Sequence, residues 1–167
     1  RVNGHALVVH PLALDGEPEE LAAELQVRIA DAAGATWAPG IYLYWGPQAW
    51  IGIRNAGWGG SYFRLEGYIT GTWLRDQDFT VQPRSGGWTG LRLVWRGDTV
   101  DVFVSVDQES WLFLSSVGRP GEGLPWLIVG KGFSTGSFPY LANAHSSLGD
   151  WSTTQFRSVK VTVDGQL

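Results

Sequence analysis

Apolar side chains recur at every second position along most of this chain, a spacing typical of β-strands with one buried face. In the clearest run, Leu25, Val27 and Ile29 share one face and polar residues occupy the other. A short helical turn at residues 18–21 is the alternative at the start of that run, because Glu and Leu favour helices. The predicted strands are residues 4–10, 21–32, 40–45, 49–54, 61–69, 90–96, 99–106, 110–117, 126–130 and 156–163.

Turn residues join several of these segments. Gly97-Asp98 separates two alternating runs and predicts a hairpin, and residues 46–48 predict another. Residues 71–88 and 132–151 show no sustained alternation and are predicted to be irregular. About ten to twelve strands without a convincing helix indicate an all-β antiparallel sandwich or barrel. No linker or internal repeat divides the 167 residues, so we expect a single domain.

Charge and composition narrow the range of partners. The net charge is −4 and no block of like charges occurs, so we expect no nucleic acid as a partner. No run of about 18 apolar residues occurs, so we also expect no membrane insertion. Cysteine is absent, which excludes disulfides and thiol chemistry. The chain lacks methionine and begins Arg1-Val2-Asn3-Gly4, so we expect a domain excised from a longer multidomain protein.

Three segments resemble a known superfamily. They are the hairpin Arg96-Gly97-Asp98-Thr99-Val100, the turn that runs from Ser105 through Asp107 to Trp111, and the closing strand 156–163. In this order they resemble the concanavalin A-like jelly roll, which takes in laminin-G-like modules and accessory β-sandwich domains attached to glycoside hydrolases. The resemblance implies an antiparallel jelly roll and an extracellular, periplasmic or cell-surface location. The chain departs from the pattern at Gln108, where glycine usually follows the turn aspartate.

Catalytic carboxylates are not evident. The best-known enzymes of this superfamily resemble one another in a strand of the form E-x-D-x-x-E, and the chain contains no such strand. Glu66 follows Arg64 at the spacing of one strand face, which predicts an ion pair rather than an acid catalyst. Asp101 has no partner carboxylate in its strand. We therefore expect no enzyme, with a glycan hydrolase or lyase kept as an alternative.

A structural calcium ion is the one cofactor that the resemblance implies, since similar modules often hold such an ion near the chain ends. Asp15, Glu17 and Asp164 are the candidate ligands, because carboxylates supply the hard oxygen atoms that calcium prefers. The alternative is that this site binds no ion.

The tryptophans divide into two groups by their surroundings. Those in or beside apolar strands are predicted to lie in the core: Trp45, Trp50, Trp95, Trp111 and Trp126. Loop indoles flanked by small residues have little around to cover them, and a pyranose ring stacks well on such a face. The predicted ligand-binding residues are therefore Trp37, Trp58, Trp88, Trp151 and Tyr140, with Arg54, Asn55 and Asn143 as hydrogen-bonding partners. The alternative is that these rings cap the open ends of the sandwich.

Arginines suggest a second surface. If their strands adjoin, one sheet face would carry Gln26, Arg28, Arg54, Arg64, Arg92 and Arg96 beside Tyr42 or Tyr44. Guanidinium groups hold carboxylates and sulfates in a two-pronged geometry, so such a face predicts acidic glycans as ligands. The alternative is a solvated face of Arg–Glu pairs. Together these patterns favour a non-catalytic carbohydrate-binding module, and a structural or protein-interaction module that packs on a neighbouring domain is the alternative.

Overall fold

The computed structural model describes residues 7–12, 14–29, 39–56, 62–69, 71–82, 87–131 and 154–166. Eleven β-strands and no helix occur within these ranges. The strands are β1 (Leu7–Pro11), β2 (Glu20–Ile29), β3 (Pro39–Gly46), β4 (Ala49–Ala56), β5 (Tyr62–Ile69), β6 (Thr72–Phe79), β7 (Trp88–Arg96), β8 (Thr99–Ser105), β9 (Leu112–Gly118), β10 (Trp126–Lys131) and β11 (Thr154–Val163). In the described ranges, therefore, no helix is long and apolar enough to span a bilayer.

The strands form two antiparallel sheets. The six-stranded sheet has the order β1-β10-β3-β4-β5-β6, and the five-stranded sheet has the order β11-β2-β7-β8-β9. The predicted all-β antiparallel sandwich is confirmed. The helical alternative at residues 18–21 is wrong, because β2 already begins at Glu20. The prediction of an irregular stretch after residue 71 is also wrong, since β6 pairs with β5 there.

The core lies between the two sheets and is built from alternate positions of each strand. Odd-numbered β2 residues such as Leu25 and Val27 face Ile41, Ile51 and other apolar side chains of the opposite sheet, and all are fully buried. Each such side chain contributes roughly 1.5–3 kcal/mol by leaving water. The even-numbered β2 residues consequently point away from the core, and the same logic assigns an outer face to every strand.

Arg119 closes one side of this core. Its guanidinium carbon lies 4.7 Å from the centroid of the buried Trp95 ring. Its two terminal nitrogens donate to the Glu17 carboxylate at 3.0 and 2.7 Å. Trp45 packs edge-on against Trp95 and donates from Nε1 to the Gly123 carbonyl oxygen at 2.7 Å. The loop after β9 is thus held against the sandwich by side chains from several parts of the chain.

A β-bulge interrupts the edge strand β11. Arg157 lies opposite Gln26 and Lys160 lies opposite Glu24, so two residues of β11 face one residue of β2. Ser158, inside the bulge, has a φ angle of 53°, a left-handed conformation that bulges accommodate. Both halves of β11 keep their apolar residues towards the core, because Phe156 and Val161 each lie opposite an inward-facing residue of β2.

Candidate functional site

The outer face of the five-stranded sheet carries a group of tryptophan and arginine side chains. Trp88 begins β7 and lies beside Arg28 in the register of β2 and β7. The guanidinium carbon of Arg28 lies 5.3 Å from the Trp88 ring centroid, and that of Arg157 lies 4.1 Å from it. Both separations are within the range of cation–π attraction. We call Arg28, Trp88 and Arg157 the arginine–tryptophan patch.

Two neutral amides hold Arg157 in place. Its Nε donates to Gln26 Oε1 at 2.7 Å, and its Nη2 donates to Gln108 Oε1. Gln26 is the β2 residue opposite Arg157, whereas Gln108 belongs to the turn between β8 and β9. The Arg157 side chain therefore reaches across the sheet face from its edge, over Trp88, to a turn on the far side.

A second aromatic group continues this face towards β9. The Trp111 ring covers Gly90, since a Cβ atom added there would lie 2.8 Å from the ring. Arg92 lies 5.6 Å from the Trp111 centroid, and its Nε is 3.4 Å from Glu24 Oε1. The face continues through Phe103 and Phe113, whose rings meet at 5.6 Å in a T-shaped arrangement. Phe113 is 53% exposed, so an aromatic surface reaches solvent at this edge.

The turn at Asp107 positions side chains of both groups. Asp107 Oδ1 accepts hydrogen bonds from the backbone N–H groups of Glu109 and Ser110 at 2.9 Å, and Oδ2 accepts from Ser110 Oγ at 2.6 Å. These hydrogen bonds, those from Ser110 above all, lower the pKa of the Asp107 carboxyl well below its usual range. Gln108 has a φ angle of 68°, the conformation that glycine adopts most easily, which explains why glycine is usual at this position.

The outer face of the six-stranded sheet is different, because its central side chains are buried. The Arg54 and Glu66 groups lie on adjacent strands, with Nε 2.9 Å from Oε1 and Nη2 3.0 Å from Oε2, and both side chains are at most 2% exposed. Glu66 forms an ion pair, as predicted, and Arg54 of the neighbouring strand is one of its partners. Arg64 pairs with Asp78 of β6 at 2.7 Å. Arg64 and Asp78 face each other directly in the register, whereas Arg54 and Glu66 are diagonal neighbours, and side chains of this length reach across both separations.

Tyr42 lies flat on Gly52 in this face. An added Cβ at Gly52 would stand 1.9 Å from Tyr42 Cδ1, so the ring occupies the space that any other residue would need. Tyr42 and Trp50 are fully buried, with their ring centroids 6.1 Å apart. Burial, reinforced by the Glu66 carboxylate, raises the pKa of the Tyr42 phenol well above its ordinary value. This face is therefore a packed polar–aromatic layer rather than an open basic surface.

The predicted single basic face is wrong, because its members belong to different sheets. Arg54 and Arg64 lie on the six-stranded sheet with Tyr42, whereas Arg28 and Arg92 lie on the five-stranded sheet. The alternative of a solvated face with Arg–Glu pairs describes Arg92–Glu24 on the five-stranded sheet, whereas the Arg54–Glu66 pair on the other sheet is buried.

The residues predicted to bind a ligand are distributed as follows. Trp88 is half-buried on the outer face of the five-stranded sheet, and Arg54 lies on the opposite side of the sandwich. Asn55 is buried on the inward side of β4, 2% exposed, so these three do not form one site. Outside the described residues lie Trp37, Trp58, Trp151, Tyr140 and Asn143.

The core prediction for the other tryptophans holds in part. Trp95 and Trp45 pack in or against the core between the sheets. Trp50 is buried, but in the outer layer with Tyr42. Trp111 lies over the outer face at Gly90, and Trp126 is 46% exposed, so the core prediction is wrong for both. Sequence reasoning also missed Arg157 and Gln108. Nothing in the sequence near Arg157 or Gln108 indicates a place in the site. Only the pairing of β11 with β2 and the geometry of the turn bring these two residues to Trp88.

Two of the three predicted calcium ligands, Glu17 and Asp164, are engaged in other contacts. Hydrogen bonds from Arg119 lower the pKa of Glu17, which also accepts from the Gly123 N–H at 2.9 Å. Asp164 Oδ1 accepts from the Glu20 N–H at 2.8 Å. Within the described ranges no group of three acidic or histidine side chains is arranged to hold a metal ion. Calcium binding by Asp15, Glu17 and Asp164 stays a prediction.

Comparison with known proteins identifies the fold. Galectin-Ib of Xenopus laevis matches 94% of this chain and 100% of its own, with a TM-score of 0.56 and 12% identity. The carbohydrate-binding module CBM66 of Bacillus subtilis matches 96% of this chain and 83% of its own, with a TM-score of 0.54 and 11% identity. A mutant of the GH43 protein BlXynB of Bacillus licheniformis matches 95% of this chain but only 33% of its own, with a TM-score of 0.60 and 10% identity.

No protein-family model matches the sequence, and the search of curated proteins gives no significant match. At identities of 10–12% the likeness establishes the architecture alone. The chain has the antiparallel β-sandwich fold that its sequence motifs predicted, and galectins and a carbohydrate-binding module share this fold.

Proposed function

We propose that this chain is a non-catalytic carbohydrate-binding module that contacts a polysaccharide or glycan through aromatic side chains. The observation that carries the proposal is the aromatic surface of the five-stranded sheet, where Trp88, Trp111 and Phe113 lie among amide and guanidinium groups. Aromatic faces suit the C–H faces of sugar rings, and neighbouring polar groups suit their hydroxyls. The fold that the chain shares with a carbohydrate-binding module and a galectin supports the same function.

The same proposal implies the kind of longer protein in which this module would occur. A glycan-binding accessory module would act beside another domain of a longer chain, outside the cell, in the periplasm or at the cell surface. The GH43 protein supports this organisation, because the likeness covers a third of its length.

The first experiment is a tryptophan fluorescence titration and affinity electrophoresis with a panel of neutral and acidic polysaccharides. Trp88→Ala and Trp111→Ala are expected to weaken binding at least tenfold. Trp126→Ala is the matched control, because Trp126 is an exposed tryptophan of the other sheet. Loss of binding in Trp126→Ala alone would move the site to the six-stranded sheet. Absence of binding to the whole panel by the folded protein would refute the function.

A protein-interaction module is the second candidate. Leu112 and Phe113 are neighbours on the edge strand β9 and are 49% and 53% exposed. Adjacent exposed apolar residues at a sheet edge are typical of a surface that packs on another domain. A Leu112→Ser, Phe113→Ser double variant that gains solubility without any change in glycan binding would favour this candidate. A hydrolase or lyase would instead release new sugar ends from the same panel, which a reducing-end assay measures.

A further inference from the structure

Among the arginines whose side chains the structure describes, those of the arginine–tryptophan patch differ from the others in having no carboxylate partner. Carboxylates lie within 3.4 Å of the guanidinium groups of Arg54, Arg64, Arg92, Arg96 and Arg119. Arg28 and Arg157 have no carboxylate within 4.0 Å in the part of the chain that the structure describes. The chain carries more acidic than basic residues, so two guanidinium groups without a carboxylate on one indole ring are a specific feature of this patch.

The contacts of Arg28 and Arg157 orient their guanidinium groups without compensating their positive charges. Arg157 is held by Gln26 and Gln108, whose neutral amides accept hydrogen bonds but bring no negative charge. Arg28 Nε is buried and has no hydrogen-bond acceptor in the described ranges. Both guanidinium groups lie within 5.3 Å of one indole centroid, so their charges repel each other. An anion close to both groups would reduce this repulsion and could supply an acceptor for Arg28 Nε.

We propose that the arginine–tryptophan patch binds the anionic substituent of an acidic glycan, a carboxylate or a sulfate. This inference rests on the proposed function and specifies its ligand. Guanidinium groups bind both anions through two parallel hydrogen bonds. The sugar ring that bears the anion would then lie towards the Trp111 and Phe113 side of the same face, where an aromatic surface is available.

The test compares charged and neutral polysaccharides on the intact chain. Polygalacturonate supplies carboxylates, dextran sulfate supplies sulfates, and dextran is the neutral counterpart. Arg28→Gln and Arg157→Gln are expected to weaken binding to an acidic polymer at least tenfold. Arg96→Gln is the matched control, because it removes an equal charge from the same sheet face where Glu20 and Asp101 already compensate it. This control is expected to stay within twofold of the wild type. Unchanged near-ultraviolet circular dichroism would show that each variant is folded.

The outcomes separate the inference from the function on which it rests. Preference for polygalacturonate or for dextran sulfate would support the inference and identify the anion. Equal binding of dextran and the acidic polymers, unaffected by Arg157→Gln, would overturn the inference and leave carbohydrate binding in place. An equal loss in Arg96→Gln would overturn it as well, because the attraction would then be a general effect of charge. No binding to any polymer would overturn both.

Discussion

Gly52 is the position where the structure predicts the largest effect from the smallest change. In Gly52→Ala the new methyl would stand 1.9 Å from Tyr42 Cδ1, whereas ordinary contacts begin near 3.4 Å. The ring would have to move by about 1.5 Å, and Tyr42 is fully buried against Trp50. Overpacking of this kind costs about 3 kcal/mol, at the upper end of the usual range. For a chain of 167 residues this corresponds to a melting temperature lower by about 6–12 °C.

A double-mutant cycle checks the cause of this loss. Tyr42→Ala alone is expected to cost about 3–5 kcal/mol. Tyr42→Ala removes the ring that the new methyl would meet, so Gly52→Ala made in that variant becomes neutral or stabilises by up to about 1 kcal/mol. Gly46→Ala is the control, since a Cβ there meets nothing within 4 Å. Urea unfolding followed by tryptophan fluorescence measures all four variants. An equal cost of Gly52→Ala with and without Tyr42 would refute the stacked arrangement.

Three further predictions concern charged groups. Glu66→Leu removes the carboxylate beside buried Arg54 and is expected to lower the free energy of unfolding in urea by about 3 kcal/mol. Adding Arg54→Met removes the unpaired charge and should recover part of that loss. A larger loss in the double variant would contradict this prediction. The lowered pKa of Asp107 means that its ionised form stabilises the fold above about pH 4 and that this stabilisation is lost as the pH falls further. The difference in urea midpoint between wild type and Asp107→Ala should therefore narrow below pH 4, and a constant difference would count against the turn. Arg119→Lys keeps the charge but loses the planar group stacked on Trp95, so we expect the free energy of unfolding to fall by about 1–2 kcal/mol. Glu17→Gln leaves that stacking in place and should lower the free energy of unfolding by less.

The alternating pattern predicted the strands wherever the alternation was continuous. β2 is the clearest case, because its apolar residues fill the core and its polar residues face outward without interruption. β6 was missed for a physical reason. The β5–β6 register shifts between Leu65 and Gly67, so Leu74 and Phe79 both pack against the core although their positions differ in parity. A bulge therefore removes the period of two that a sequence pattern relies on.

The candidate site was predictable only in its residue types. The sequence predicted tryptophan and arginine as the residue types of the candidate site, but it did not predict the sheet to which each strand belongs. Arg54 and Arg28 show similar alternation and lie on opposite sides of the sandwich. Glu66 lies two residues from Arg64 in sequence, yet it pairs with Arg54 across the sheet. Such pairings depend on strand order and register, which local patterns do not contain.

The bulge in β11 has a consequence for which side of the protein displays Arg157. The two residues between Arg157 and Lys160 occupy the length of one residue on β2, and this extra residue keeps the two halves of the strand in phase. Without it, the first half would rotate by one position relative to the second. Phe156 would then turn outward, and the Arg157 guanidinium would point into the apolar interior. The position of this cation therefore depends on the count of residues in an edge strand, so an insertion or deletion there would alter the outer face more deeply than most substitutions on it.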